Sequence, residues 1–212
     1  ARRHGVHLLA GSAPERVGAA YRNRARLFAP SGHDAVIEKV QMTRFERERW
    51  DVRGGAGPAV VDTALGLIGV AICYDSEFPL LVRRMAEAGA RVILVPSCTD
   101  TMAGYWRVRV ACQARALENQ CYVVHAPTVG FAPWSPAVDE NHGAPAVYAP
   151  PDRGFPDDGV VALGELDQPG LLIARLDLDA IERVRTDGQV LGHRDWDLPG
   201  HQLGRLTRSK LA

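Results

Sequence analysis

A chain of 212 residues with 46% hydrophobic content is long enough for one domain with a sizeable core. Its 25 Lys and Arg balance 25 Asp and Glu, so no basic surplus or polybasic run points to nucleic acid or an anionic membrane surface. No apolar stretch can span a bilayer, Ala1 to His4 do not read as a signal peptide, and four cysteines without a CxxC pair suggest a reduced, cytoplasmic setting rather than a zinc site.

In chain order, residues 5–12 read as a short apolar strand running into a glycine turn. Residues 21–29 alternate as a second strand, closed by Pro30-Ser31-Gly32. Residues 35–41 form a third extended segment and carry Lys39, one of two lysines in the chain. Taken alone, Lys39 is a solvent-facing strand position. The charged run 44–50 is a short helix or loop, and the glycine-rich stretch 54–58 breaks the chain. Residues 59–62 and 67–72 then make a hairpin that delivers Cys73.

The stretch 66–79 stands out. An apolar β-branched run stops at Cys73, polar residues follow, and apolar positions Leu80, Leu81, Met85 and Ala86 mark a helix over 77–89 that Gly89 ends. A strand entering a helix through a tight turn holds one side chain at the sheet edge. The following N–H groups and the helix N-terminus favour a thiolate and a developing oxyanion there. Cys73 therefore has two readings, such a thiol or a buried cysteine at a strand end. Asp75 and Glu77 are expected to help begin the helix by meeting its N-terminal amides. Residues 92–96 are continuously apolar, as in a strand covered on both faces, which completes a βαβ-like unit.

Residues 103–120 carry the longest helical pattern, and 121–126 are a further strand. Residues 130–141, with Phe131 and Trp134, read as an irregular loop. Residues 143–149 and 159–166 look extended, 171–176 are a last strand, and 177–185 a short helix. The tail 188–212 is expected to be an extended arm, packed on a neighbour or partly disordered. No repeat or composition break divides the chain, so 1–212 is taken as one domain.

Four segments together resemble the carbon–nitrogen hydrolase (nitrilase/amidase) superfamily. Gly69-Val70-Ala71-Ile72-Cys73-Tyr74-Asp75 with Phe78-Pro79 looks like its nucleophile segment. Ala88-Gly89-Ala90 before Val92-Ile93-Leu94-Val95-Pro96-Ser97 is similar to its next helix and strand. Arg115-Ala116-Leu117-Glu118-Asn119-Gln120 with Tyr122-Val123-Val124 resembles its long helix and following strand. Lys39, followed by Arg44-Phe45-Glu46, falls where the family has a catalytic lysine and a second glutamate.

The resemblance implies an α/β fold, the four-layer α–β–β–α sandwich, and hydrolysis of a small amide or nitrile through a cysteine thioester without metal or organic cofactor. It makes Cys73 the nucleophile. Lys39 would lower the thiol pKa and, with the Tyr74 backbone N–H, bind the oxyanion. Glu46 would orient substrate or water, with Glu48 as its rival. Trp134, Phe131 and Tyr105 either wall the acyl pocket or, for Trp134, anchor the loop. Arg115, Glu118 and Asn119, and likewise His125 and His142, are expected to be structural. Cys98 and Cys112 are expected to be packing residues. The family's first glutamate falls before residues 5–12 and has no match here, since Glu15 and Glu38 lie in other segments. The resemblance thus implies a chain lacking the opening strand and helix. Three readings follow: an amidohydrolase, a hydrolase or transferase part of a larger fused chain, or a truncated, non-catalytic module. Pairing into a homodimer or higher oligomer through 77–89 and 103–120, with the C-terminal arm, is also implied.

Overall fold

The computed structural model describes residues 1–135, 138–196 and 208–210. Four strands build the first sheet. β1 (Leu8–Val17) and β3 (Asp34–Glu38) flank β2 (Ala20–Phe28) antiparallel, and β4 (Val52–Arg53), reached through helix α1 (Arg44–Glu48), runs parallel to β2. The alternation along β2 sets the two faces. Asn23, Ala25 and Leu27 are buried, while Arg24 and Arg26 turn to the other face and pair with Glu15, Asp34 and Glu38.

The second sheet has six strands, β5 (Ala59–Thr63), β6 (Gly66–Val70), β7 (Val92–Ser97), β8 (Tyr122–Pro127), β11 (Ala146–Tyr148) and β12 (Val160–Leu163), in the order β12-β11-β8-β7-β6-β5. β6, β7 and β8 are parallel, and the rest pair antiparallel. A two-residue pair, β9 (Gly130–Phe131) and β10 (Glu140–Asn141), closes the loop after β8. The parallel strands need crossovers. Helices α2 (Pro79–Glu87) and α3 (Met102–Asn119) supply them.

Between the sheets, Ala25, Leu27 and Ile37 meet Val70 and Ile72. On the other face of the six-stranded sheet, Val82 and Met85 of α2 and Val108, Cys112 and Ala116 of α3 pack on Ile93, Val95, Val123 and Tyr148. Each Val, Leu, Ile or Met side chain among these contributes roughly 1.5–3 kcal/mol of burial. Gly69 allows α2 to sit this close, because a Cβ there would come within 2.5 Å of Ile93 and 3.1 Å of the Met85 Cβ. The buried Ile181 of α4 (Leu178–Asp187) packs on Tyr122, Val147 and Ala149. No helix among the described residues is long and apolar enough to cross a membrane.

Four expectations change, the first being the opening strand, which does not turn at Gly11 but bulges there and runs on to Val17. Residues 171–176 are extended, with Leu171 and Ile173 exposed while Ala174 and Leu176 pack on the third core cluster, yet they form no strand. Their alternation is that of a strand, but among the described residues no neighbouring backbone pairs with them. The helix expected from residue 77 starts at Pro79, whose fixed φ and missing N–H suit the first helical position, and a 3₁₀ turn over Cys73–Glu77 precedes it. The start of the tail packs on its own chain: α5 (Gly192–Asp195) follows, the Gln120 amide donates to the carbonyls of Val184 and Val190, and Arg83 lies over the Trp196 ring. Most of the expected arm lies outside the described residues.

Candidate active site

β6 ends at Val70, and the Ala71 N–H reaches the Leu94 carbonyl at 3.0 Å, which carries the chain along β7. Cys73 then takes φ 50°, a left-handed conformation that costs an L-residue roughly 1–2 kcal/mol. Its neighbours hold it there. The Ser76 hydroxyl donates to the Cys73 carbonyl at 2.7 Å, and Arg115 of α3 donates to the Ser76 carbonyl at 3.0 Å. Glu118 fixes the Arg115 guanidinium through two bonds of 2.8 and 2.9 Å. Arg115 and Glu118 thus brace the turn from the long helix.

Lys39 follows β3 directly. Its backbone N–H donates to the Asn23 carbonyl at 2.8 Å, and its own carbonyl accepts from Gly55 at 2.8 Å. Gly54 and Gly55 do more than break the chain: a Cβ on Gly54 would lie 2.5 Å from the Val40 carbonyl, and one on Gly55 2.7 Å from the Glu38 Cβ. The glycines let this crossing lie flat on the Lys39 backbone. The Lys39 side chain is buried, not solvent-facing, and its ammonium meets Glu46 Oε2 at 2.6 Å.

Glu46 is held from four directions. Besides Lys39 it accepts the Thr43 N–H at 2.8 Å, the Thr43 hydroxyl at 2.9 Å and, on Oε1, the Asn23 amide at 2.8 Å. Thr43 and Glu46 form a reciprocal capping box that starts α1. Burial alone would push the Glu46 carboxyl up, but Lys39, Thr43 and Asn23 outweigh it and hold the pKa below the usual value. Glu48, by contrast, is exposed and paired with Arg44.

Lys39 and Glu46 both act on the Cys73 thiol. Burial raises its pKa, the Lys39 ammonium opposes that rise, and Glu46 adds to it. The balance is upward. The low resting pKa expected from Lys39 is therefore not found, because desolvation exceeds the attraction of an ammonium already engaged by Glu46. The Cys73 Sγ also points at the Cys98 carbonyl, 3.7 Å away at the end of β7.

Asp75 departs furthest from expectation. Its buried carboxylate accepts the N-cap N–H of Ile72, which opens the 3₁₀ turn, and it also reaches back to the N–H groups of Val40 and Gln41, all at 2.7 to 3.2 Å. Glu77 pairs with Arg107 at 3.4 Å.

The residues expected to wall a pocket are not gathered together. Phe131 and Trp134 stand in the open at 78% and 81% exposure, whereas Tyr105 is buried, stacked on His125 and bonded to Arg109 at 3.0 Å. The loop carrying Phe131 and Trp134 is nevertheless tied to the site. Asn141 accepts the Cys98 thiol at 2.9 Å and the Thr128 hydroxyl at 2.8 Å, and it donates to Gly130 and Val138 carbonyls. His125 bonds the Ser97 hydroxyl at 2.8 Å, and burial depresses its pKa to about 4. His142 pairs with Asp167 and Glu140. Asn119 donates to the Arg115 carbonyl, and Cys112 lies wholly in the core. No group of three or more His, Cys, Asp or Glu among the described residues is placed to hold a metal ion. A cavity of 520 Å³ lies at the start of β3, lined by His7, Leu27, His33 and Val61, and Cys73, Lys39 and Glu46 are not among its lining residues.

This arrangement sets a cysteine on a constrained turn beside a buried lysine–glutamate pair. The sequence profile of the family described as carbon-nitrogen hydrolase matches residues 1–186. The chain belongs to the carbon-nitrogen hydrolase family. It is 37% identical over 194 residues to the probable hydrolase YhcX of Bacillus subtilis, covering 91% of this chain and 38% of YhcX. It is 36% identical over 147 residues to the deaminated glutathione amidase of Mus musculus, covering 69% of this chain and 42% of that one. The chain thus spans less than half the length of both. Among solved carbon-nitrogen hydrolase structures, an amidase from Nesterenkonia sp. AN1 carrying acrylamide on its active-site cysteine superposes with a TM-score of 0.69 at 26% identity, over 92% of this chain and 71% of that chain. The helix layer and the two facing sheets are those of the family's α–β–β–α sandwich.

Two features of this carbon-nitrogen hydrolase site escaped sequence reasoning, Asn23 behind Glu46 and the reach of Asp75. The Thr43-x-x-Glu46 spacing of a capping box was a usable signal for Glu46 over Glu48. No local pattern marks the reach of Asp75 to Val40 and Gln41, which lie 35 and 34 residues away.

Proposed function

We propose that this chain carries the thiol centre of an amidohydrolase for small amides. The observation that carries the reading is the buried Lys39–Glu46 pair acting on a Cys73 held in a left-handed turn. The Cys73 sulfur adds to the amide carbonyl carbon as its proton leaves for a base. The carbonyl electrons move onto oxygen, where the Lys39 ammonium and the Tyr74 N–H stabilise the charge. When the C–N bond breaks, the nitrogen takes up a proton and departs as ammonia or an amine. Water then hydrolyses the thioester and frees Cys73. Glu46 holds Lys39 in place through their 2.6 Å ion pair. Its oxygens, like those of Asp75, are taken up by donors, so the proton transfers call for another base. A nitrile would enter by the same addition. A reduced, cytoplasmic setting keeps the four free thiols intact.

Acrylamide, a small electrophilic amide, tests the reading. Cys98 is exposed, Cys112 is fully buried with its pKa raised, and burial pushes Cys121 up to about 12. Simple accessibility favours labelling at Cys98. A site that binds an amide places acrylamide at Cys73, so peptide mapping should find Cys73 modified first. Preferential labelling of Cys98 would instead favour a non-catalytic module.

The second part of the reading is self-association. Leu80 of α2 and Trp106, Val110 and Leu117 of α3 are large apolar side chains at 49 to 68% exposure. They suit a helix-to-helix contact with a second copy. Light scattering that finds only monomer at micromolar concentration would exclude it.

A further inference from the structure

We propose that Asp75 is a positioning residue for this site, whose carboxylate locks the segment carrying Lys39 onto the turn carrying Cys73. Asp75 Oδ1 accepts the Gln41 N–H at 2.7 Å and the Val40 N–H at 3.1 Å. Oδ2 accepts the Ile72 N–H at 3.2 Å and shares the Val40 N–H at 3.2 Å. Val40 and Gln41 immediately follow Lys39, and Ile72 immediately precedes Cys73. The first two continue from the four-stranded sheet, and Ile72 from the six-stranded one. One side chain at 2% exposure therefore spans the gap between the sheets at the point where the cation must meet the sulfur.

The chemistry of the clamp is specific. Three N–H donors converge on two oxygens, a match for an acceptor-only carboxylate. An asparagine would turn an NH₂ group toward a backbone donor. A glutamate would overshoot by one methylene. Burial raises the Asp75 pKa to about 6 against the opposing pull of these donors and of Lys39, so the group is ionised at neutral pH. Other residues also fix the turn: Ser76 and Arg115 hold its far side, but only Asp75 among these reaches the Lys39 segment.

This inference rests on the reading of Cys73 as nucleophile and Lys39 as its cation, and its test needs no turnover. The midpoint of the Cys73 thiol is read from the pH dependence of iodoacetamide alkylation, followed by peptide mapping. Wild type, Asp75→Asn, Lys39→Gln and the double variant are compared in the full chain. Asp75→Asn should raise the midpoint by about one unit, a roughly tenfold loss of thiolate at a given pH below it. Lys39→Gln should do the same, and the double variant should go no further, because the clamp acts through Lys39. A folded Asp75→Asn whose midpoint stays or falls overturns the proposal. So does a shift of equal size in the Lys39→Gln background, which would mark a purely structural role. Should Asp75→Asn not fold, hydrogen exchange on the wild type decides: the Val40, Gln41 and Ile72 amides should share one opening free energy, and unrelated values overturn the clamp. Failure of acrylamide to choose Cys73 would sink the amidase reading while leaving these midpoints interpretable.

Discussion

Replacing Cys73, the proposed nucleophile, with alanine should abolish the proposed amide turnover while the protein stays folded. The thiol makes one long contact, 3.7 Å to the Cys98 carbonyl, and its partly buried sulfur packs between the two main core clusters. Alanine keeps the Cβ and the left-handed backbone, so the cost in stability is one small void, on the order of 1 kcal/mol. The chemical cost is far larger. In the proposed mechanism a chain without its nucleophile has no thioester to hydrolyse, and losses for such groups reach about 10⁴–10⁶-fold in kcat. Ammonia release from an amide panel is the measurement, with thermal melting to show that the fold survives. Turnover that persists in Cys73→Ala would end the thiol reading.

Lys39→Gln should be costly in both stability and rate. The ammonium is buried and lies 2.6 Å from a buried carboxylate. Removing one partner of such a pair leaves the other without compensation and typically costs about 3–5 kcal/mol. With Lys39 in its proposed place at the oxyanion, loss of this charged donor should remove a further ~10²–10³-fold in rate. The stability change should also depend on pH, and its sign follows from Glu46. In the wild type the folded pKa of Glu46 lies below its unfolded value. The stabilisation is present above the unfolded pKa and is lost as pH falls through the folded one. In Lys39→Gln, burial is left opposed only by Thr43 and Asn23, so protonation becomes easier on folding. The gap between wild type and variant in urea titrations should therefore be wide at pH 7 and narrow below the ordinary carboxylate range. A gap that does not change with pH would mean that the pair contributes packing rather than charge.

Much of the architecture was legible because it rests on local periodicity. The alternation of β2, the helical spacing of α2 and α3 and the unbroken apolar run of β7 each placed an element within a few residues. Residues 171–176 show the limit. Alternation reports which side chains face a core, but pairing depends on what lies alongside, and no local pattern contains that. Lys39 shows a second limit. Alternation continues the inward face from the buried Ile37 to Lys39, but a lysine there reads as solvent-facing until Glu46, seven residues on, is seen to meet its ammonium. Cys73 and Glu46 carried legible signals, a strand end and a capping box. The elevated Cys73 pKa carried none, because it depends on how completely two sheets desolvate one sulfur.

The path of the chain through the two sheets has a practical outcome. All strands up to Arg53 belong to the four-stranded sheet, and from Ala59 on the principal strands build the six-stranded one. The polypeptide passes from one to the other through Gly54-Gly55-Ala56-Gly57-Pro58, where Ala56 and Pro58 are exposed. Lys39 and Glu46 lie before this bridge, and Cys73 lies after it. A cut at Ala56 would therefore divide the centre into a cation-bearing piece and a sulfur-bearing piece, each keeping a whole sheet. Neither piece alone would hold both the Lys39 ammonium and the Cys73 thiol, and bringing them back together would report that the two had rejoined. The bridge is thus a natural place to split the protein into a complementation reporter.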